Sequence, residues 1–148
     1  MTRDNSYRPL AHLLNHIGKL LREKLSSDLT ESGLYFGQAR ILEALLHNDN
    51  LNQGKIGREL QIKPATVTNQ VKRMEAAGLI DRRKDANDDR FMNVTLTPKG
   101  REAAKLILNA MIQIEQEICS VLTKKEIDML RKPLEKVRDK LGGVAPSI

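Results

Sequence analysis

Residues 62–78 read IKPATVTNQVKRMEAAG, and this stretch decides how the rest of the chain is interpreted. Proline is tolerated in the first turn of a helix, where its missing N–H costs nothing, and glycine commonly ends a helix. Pro64 and Gly78 therefore predict the two ends of a short helix. The apolar residues between them recur at spacings of four and three: Val67, Val71 and Met74. This spacing gives the helix one apolar face that can pack on the body of the protein.

The opposite face of the predicted helix is small, polar and basic, with no carboxylate before Glu75. A helix that enters the major groove of DNA needs small residues for close approach, Thr and Asn for base edges, and Lys and Arg for phosphates or guanines. The candidates for DNA contact are Lys63, Pro64, Ala65, Thr66, Thr68, Asn69, Lys72 and Arg73. An ordinary surface helix would also have a polar face, so the neighbouring segments must decide between the two interpretations.

The segment before this helix, residues 51–60, reads LNQGKIGREL and predicts another helix of barely two turns. Two short helices joined by a turn of a few residues, the second with a polar outer face, form a helix-turn-helix. Glycine lowers helix propensity, and we expect close packing between the two helices to account for Gly57.

Beyond Gly78 the apolar pattern changes from helical to alternating. Residues 79–84 and 91–96 have the pattern of strands, and the residues between them favour turns, which predicts a β-hairpin with a charged tip. A hairpin joined to a helix-turn-helix forms a wing, which can lay Arg90 into the minor groove while the second helix occupies the major groove. The alternative is a surface hairpin whose charges form only salt bridges.

An amphipathic region precedes the predicted helix-turn-helix and hairpin. Residues 7–30 predict a long helix because Leu and Ile recur at spacings of three and four. Gly33 should end this segment, and a second helix is predicted over residues 38–47. So wide an apolar stripe on the first helix needs a partner surface.

A second amphipathic region follows the unit. Pro98 predicts the start of a long helix, and Thr123 with Glu126 forms a capping box for the last one. Pro133 falls inside that last helix and should kink or split it, and residues 144–148 should form a loose tail. Together the two flanking regions carry more Leu and Ile than one small winged helix can cover, so we expect burial against a second chain.

The sequence offers little for catalysis or metal binding. His12 and His16 are four residues apart, a spacing that could bring two imidazoles to one metal, but no third ligand lies in sequence reach. Solvated or ligand-facing histidines are the favoured interpretation. The chain contains neither a nucleophile with a base nor a glycine-rich phosphate loop, so we expect no cofactor and no enzyme activity.

Composition limits the class of protein further. The 148 residues amount to about one domain, and the formal net charge is +6. Residues 51–100 hold ten basic and six acidic residues, an excess that suits a polyanionic partner, although it could serve only solubility. No apolar run approaches the roughly 18 residues of a membrane span, and no signal peptide is evident, so we expect a cytoplasmic protein. The single cysteine, Cys119, excludes an internal disulfide and is expected to be buried and unreactive.

Several of these segments resemble the multiple-antibiotic-resistance regulator (MarR) family of winged-helix transcription factors. The resemblance is carried by the order and spacing of Leu51-Asn52-Gln53, Pro64-Ala65-Thr66-Val67-Thr68, Arg73-Met74-Glu75, Gly78-Leu79-Ile80-Asp81-Arg82, Asp88-Asp89-Arg90 and Leu96-Thr97-Pro98-Lys99-Gly100. The chain departs from the family at Lys63, where relatives often have a capping Ser or Asp, and at Asn69, where many have Arg.

The resemblance implies a fold that is mainly α, with an α+β winged helix-turn-helix domain between helices that form a dimerisation domain. Its domains would be residues 1–34 (N-terminal dimerisation helix), 35–100 (DNA-binding domain) and 101–148 (C-terminal dimerisation helices). In the family an arginine of the wing enters the minor groove and an aspartate braces it. Those roles pass to Arg90 and Asp88, with Arg82 as a further DNA-binding residue of the wing.

The resemblance also implies a function. The chain would be a homodimeric repressor that binds pseudo-palindromic double-stranded DNA and is released by a small, often aromatic effector. The candidates for lining the effector cleft are His12, His16, Tyr35 and Arg40. The alternative is a winged helix used as a protein-interaction module, whose exposed recognition face should then be apolar.

Overall fold

The structure is a computed structural model that describes residues 9–30 and 33–143. In chain order the elements of these residues are α1 (Leu10–Thr30), α2 (Phe36–His47), β1 (Leu51–Asn52), α3 (Gln53–Leu60), α4 (Pro64–Ala76), β2 (Ile80–Lys84), β3 (Met92–Leu96), α5 (Pro98–Ser120) and α6 (Lys124–Lys140). The architecture is mainly helical with one small sheet, which confirms the predicted fold class. None of the described helices is both long enough and apolar enough to span a membrane.

The sheet has the strand order β1-β3-β2, and both pairings are antiparallel. β2 and β3 are the two arms of the predicted hairpin, paired from Ile80 opposite Leu96 to Lys84 opposite Met92. β1 adds a third, very short strand on the other side of β3. The wing is therefore anchored to the helix-turn-helix at both of its edges.

The short helix predicted over residues 51–60 is confirmed as α3 over Gln53–Leu60, but the prediction was wrong for its first two residues. Leu51 and Asn52 form β1, in which Leu51 is buried opposite Val94. Asn52 also accepts a hydrogen bond at Oδ1 from the backbone N–H of Lys55, at 2.8 Å, and so caps α3. Strand pairing and capping both stop α3 from extending backwards beyond Asn52.

The core of the winged-helix unit lies between α2, α3, α4 and the sheet. Its deeply buried side chains include Ile41, Leu42, Leu45, Ile56, Val67, Val71, Met74, Ile80 and Val94. α5 begins against this core, where Gly100 lies directly against the backbone of Leu79. A methyl group at position 100 would collide with the Leu79 carbonyl oxygen, so this close approach requires glycine.

α1 and α6 bury little of their apolar surface within the chain. The predicted N-terminal helix is confirmed from Leu10 onward, and residues 7 and 8 lie outside the described part. Only Leu25 and Leu29 of α1 are buried, and α6 buries none of its residues. The larger apolar side chains left exposed on these two helices are Leu10, Leu13, Ile17, Leu20, Leu21, Met129, Leu130 and Leu134.

α6 begins as the sequence predicts but continues differently in one respect. The predicted capping box is present, since the Thr123 N–H donates to Glu126 Oε2 at 2.8 Å and the Glu126 N–H donates to Thr123 Oγ1 at 3.3 Å. The helix nevertheless runs unbroken through Pro133, so the split that the sequence allowed does not occur. Because α6 is exposed along its length, water can bind the carbonyl that the missing proline N–H leaves free. The predicted tail at residues 144–148 lies outside the described residues.

An open groove of about 520 Å³ lies between the end of α5 and α6. Its apolar lining consists of Ile118, Leu122, Ile127, Leu130 and Leu134. Cys119 lies on the same groove and is half-buried, so the expectation of a buried thiol was wrong for the single chain. Its Sγ lies 3.8 Å from Glu115 Oε1, and the groove leaves this side of α5 open.

Candidate nucleic-acid interface

α4 turns one face to the core and the other to solvent, as the sequence predicted. Val67, Val71 and Met74 are buried, and these three residues hold the helix on the body of the protein. The exposed candidates are Lys63, Pro64, Ala65, Thr66, Asn69, Lys72 and Arg73, and Thr68 is half-exposed. Pro64 occupies the first turn, and Lys63 precedes it without a side-chain capping bond. The outer face of α4 is therefore a continuous polar and basic surface.

The turn between α3 and α4 is tight, and Gly57 packs closely against it. The Ile62 N–H donates to the Gly57 carbonyl at 3.0 Å, while Gln61 adopts a left-handed conformation with φ of 53°. A methyl group at Gly57 would lie 3.3 Å from both the Ile62 carbonyl oxygen and Val67 Cγ2. Close packing therefore accounts for Gly57, as expected, and it sets how near α3 lies to α4.

The tip of the wing is organised by hydrogen bonds to Asp85. Its carboxylate accepts from the backbone N–H groups of Asn87 at 2.8 Å and Asp88 at 3.2 Å, and from Asn93 Nδ2 at 2.7 Å. The Asp85 N–H also donates to the Phe91 carbonyl at 2.9 Å, which closes the loop. These hydrogen bonds, the one from the Asn87 N–H first among them, hold the pKa of Asp85 below its ordinary value.

Asp88 and Arg90 form the paired arrangement that the resemblance implied. Arg90 donates from Nε to Asp88 Oδ1 at 2.9 Å and from Nη2 to Asp88 Oδ2 at 2.7 Å. Its own backbone N–H also donates to Asp88 Oδ1, at 3.0 Å. The guanidinium lowers the pKa of Asp88, and the carboxylate raises the pKa of Arg90. The Arg90 side chain is still 85% exposed, so the tip presents a cation whose direction is fixed by its neighbour.

Arg82 lies on an arm of the predicted wing. It is on β2 rather than at the tip, and only 24% of its side chain is exposed. Its Nε donates to Glu75 Oε2 of α4 at 2.8 Å. The structure therefore brings Arg90 and Asp88 together at the tip and joins Arg82 to α4.

Two basic residues of α3 belong to the same surface and were not among the sequence candidates. Lys55 and Arg58 are exposed three residues apart on α3, and Arg58 lines a cleft of about 310 Å³ together with Pro64 and Thr68. Their spacing on one face of a short helix is the signal that could have found them. In the part of the chain that the structure describes, five cations of α3, α4 and the turn between them form no ion pair: Lys55, Arg58, Lys63, Lys72 and Arg73.

The structure places the four candidates for an effector cleft on α1, before α2 and on α2. His12 and His16 lie on the exposed first half of α1, and the Tyr35 side chain precedes α2 and is 73% exposed. Arg40 donates from Nη2 to the Leu60 carbonyl at 2.9 Å, which stabilises the end of α3. Among the described residues, no group of three or more His, Cys, Asp and Glu side chains could hold a metal ion.

In a comparison with known protein families, residues 34–91 match the model of the MarR family. Among curated proteins, the chain is 31% identical over 111 residues to the uncharacterised HTH-type transcriptional regulator YwoH of Bacillus subtilis. That match covers 75% of this chain and 80% of YwoH. An HTH-type transcriptional repressor of Mycobacterium tuberculosis is 26% identical over 129 residues, which cover 87% of this chain and 93% of the relative.

Solved structures agree with this match. Staphylococcus aureus MepR in complex with DNA superposes with a TM-score of 0.85 at 26% identity, over 90% of this chain and 99% of MepR. The transcriptional regulator SlyA superposes with a TM-score of 0.83 at 23% identity, over 90% of this chain and 94% of SlyA, and supports the fold alone.

Proposed function

Because the chain belongs to the MarR family of winged helix-turn-helix transcriptional regulators, we propose that it is a homodimeric repressor that binds a pseudo-palindromic operator. Its membership of the family makes it a transcriptional regulator and not an enzyme, in agreement with the sequence prediction. Release from DNA by a small aromatic effector is part of the proposal and rests on the family resemblance.

One observation carries the proposal of DNA binding. The cations of α3, α4 and the turn between them are exposed and form no ion pair among the described residues, whereas Arg82 of β2 is bonded to Glu75 and Arg101 of α5 is bonded to Asp49. Uncompensated cations beside small polar side chains suit a polyanion that must be approached closely. A face that bound another protein would be expected to carry apolar residues, and the exposed face of α4 carries none larger than Pro64.

The direction of docking follows from the same surface. With α4 in the major groove, Asn69 would face base edges, and Lys72 and Arg73 would face phosphates or guanines. The exposed Arg90 at the wing tip would then enter the adjacent minor groove, where the negative potential is strong. Arg58 and Lys55 would flank the phosphates on the side of α3.

The proposal of a dimer rests on the two helices that the single chain leaves uncovered. α1 and α6 expose apolar side chains along one face, and the α5–α6 groove adds further apolar surface. Burial of apolar surface yields about 25 cal/mol for each Å² removed from water, so these faces would gain most from a second copy of the chain. We therefore assign dimerisation to residues 1–34 and 101–148 and DNA binding to residues 35–100.

Footprinting on the DNA that flanks the gene of this protein tests the proposal. We expect protection of two half-sites centred about one helical turn apart, with two chains bound for each site. The double variant Lys72→Ala/Arg73→Ala should lose this protection. Lys124→Ala/Lys125→Ala removes the same charge from the start of α6, where both lysines are exposed, and should bind as the wild type does. Equal loss in the two variants, or no protected site, would contradict the proposal.

A further inference from the structure

The alternation of side chains along β2 determines which face of the strand carries Arg82. Ile80 and Arg82 lie on the same face of the strand, because side chains two residues apart point the same way. Ile80 is buried in the core beneath α4, and Arg82 pairs across the sheet with Val94, which is also buried. This face carries the Arg82 guanidinium to the last turn of α4, where its Nε lies 2.8 Å from Glu75 Oε2 and its Nη2 bonds the same oxygen.

The next residue of the strand provides a direct contrast. Arg83 lies on the opposite face of β2, is exposed, and forms no ion pair among residues 9–30 and 33–143. Arg82 is mostly covered and donates from two nitrogens to one carboxylate oxygen of Glu75. Arg83 is therefore free to meet a polyanion, and Arg82 is not.

Glu75 explains why such a contact is useful. It lies two turns after Thr68 on the same edge of α4, so the outer surface of the recognition helix ends in a carboxylate that is 37% exposed. A free carboxylate at this edge would repel the phosphates that Lys72 is expected to face. An arginine from the wing neutralises it and at the same time ties the first strand of the wing to the end of the helix.

We propose that Arg82 is a positioning residue rather than a DNA contact, and that it acts on operator binding through Glu75. The proposal rests on the proposed DNA-binding function. It replaces the role of direct DNA contact that the sequence suggested for Arg82. Operator affinity then depends on the pair, and the loss of Arg82 matters only while residue 75 carries a carboxylate.

A double-mutant cycle tests this dependence. Glu75→Gln, Arg82→Gln and the double variant are compared with the wild type by fluorescence anisotropy on the footprinted operator, at one salt concentration and well below each melting temperature. Because residues in contact usually couple energetically, we expect Arg82→Gln to weaken binding about tenfold in the wild-type background. In the Glu75→Gln background the same change should weaken binding less than about threefold.

Arg83→Gln is the matched control, because it removes an equal charge from the adjacent position of the same strand. Its effect on affinity should be the same with Glu or Gln at position 75. If Arg82→Gln does not fold, Arg82→Lys takes its place in the cycle. Lysine keeps the charge but cannot reproduce the two-donor contact, so Arg82→Lys should lose less operator affinity than Arg82→Gln. This loss should also disappear in the Glu75→Gln background.

If the wild type binds the operator and Arg82→Gln loses the same affinity with Glu or Gln at position 75, this proposal is overturned and the proposed function stays intact. A folded Arg82→Gln variant that binds as tightly as the wild type would also overturn this proposal, since a residue that only stabilises the fold would lower the melting temperature and not the affinity. If the wild type itself does not bind DNA, the proposed function fails and this proposal fails with it.

Discussion

Replacing Arg90 with alanine tests whether the hairpin is a DNA-binding wing. The Arg90 side chain is 85% exposed at the tip, and its contact with Asp88 uses Nε and Nη2, which leaves Nη1 free to enter a groove. Its loss should weaken binding to most DNA sequences alike, because the minor groove offers strong negative potential and little sequence information beyond A·T against G·C.

The size of the effect follows from charge. Each DNA charge that is no longer neutralised reduces the magnitude of the slope of log binding constant against log salt concentration by about 0.9. A dimer loses two such arginines, so the magnitude of the slope should decrease by about 1.8. Raising the salt concentration from about 50 to about 200 mM should therefore reduce the ratio of wild-type to variant affinity about twelvefold. Arg90→Ala also exposes the Asp88 carboxylate, so part of the loss of affinity at low salt is repulsion.

The assay is a titration of both proteins on a panel of operator variants at several salt concentrations. Asp88→Asn/Arg90→Ala removes the exposed carboxylate as well and should bind with an affinity between those of the wild type and Arg90→Ala. Lys125→Ala serves as the charge control because Lys125 lies at the start of α6. The other end of α6 is the one near the α3–α4 turn, where the Gly142 carbonyl accepts a hydrogen bond from Gln61. If Arg90→Ala leaves both affinity and slope unchanged, the hairpin is not a DNA-binding wing.

Further variants test recognition, assembly, packing and pH dependence. Asn69→Ala should relax base preference at one base pair of each half-site by about 1–3 kcal/mol at a nearly constant salt slope, measured on the same panel. Leu130→Glu puts a charge on the exposed apolar face of α6 and should abolish dimerisation and operator binding together, and sedimentation of a stable wild-type monomer that binds the full operator would contradict this. Gly100→Ala should destabilise the fold by about 3 kcal/mol or more in denaturant unfolding, whereas Gly54→Ala, with its nearest contacts at 3.4 and 3.6 Å, should be neutral or stabilise it by about 0.4–1 kcal/mol. The pKa of Asp88 is lowered by Arg90, so its contribution to the order of the wing tip should be complete above the ordinary pKa of 3.8 and be lost as the pH falls further, through the lowered pKa. An NMR titration of the carboxyl carbon would contradict this if its midpoint lay above 3.8.

Local signals predicted most of the fold. Pro64 at the start of α4, the alternation in β2 and the capping box at Thr123 each depend on residues that are close in sequence, and each was confirmed. The packing role of Gly57 was also correct, because a glycine that weakens a short helix is compensated where it lets a neighbouring helix approach closely.

The features that the sequence did not reveal depend on distant partners. β1 has two residues and exists because Leu51 meets Val94, which lies far along the chain and cannot be paired with it from local pattern. The contact of Arg82 with Glu75 likewise depends on the face of β2 that packs under α4. A basic residue in a predicted wing looks the same in sequence whether it faces a polyanion or a carboxylate of its own chain.

The exposure of α6 ties the folding of this chain to its concentration. Most of the stability of a helix in a protein comes from the packing of its apolar face, and α6 buries none of its 17 residues against its own subunit. If its apolar face is covered only by a second copy, the order of α6 is itself a product of association and follows mass action. Dilution would then lower the melting temperature and unwind α6 before the winged helix unfolds. A cell could silence such a regulator by keeping it scarce, without any ligand.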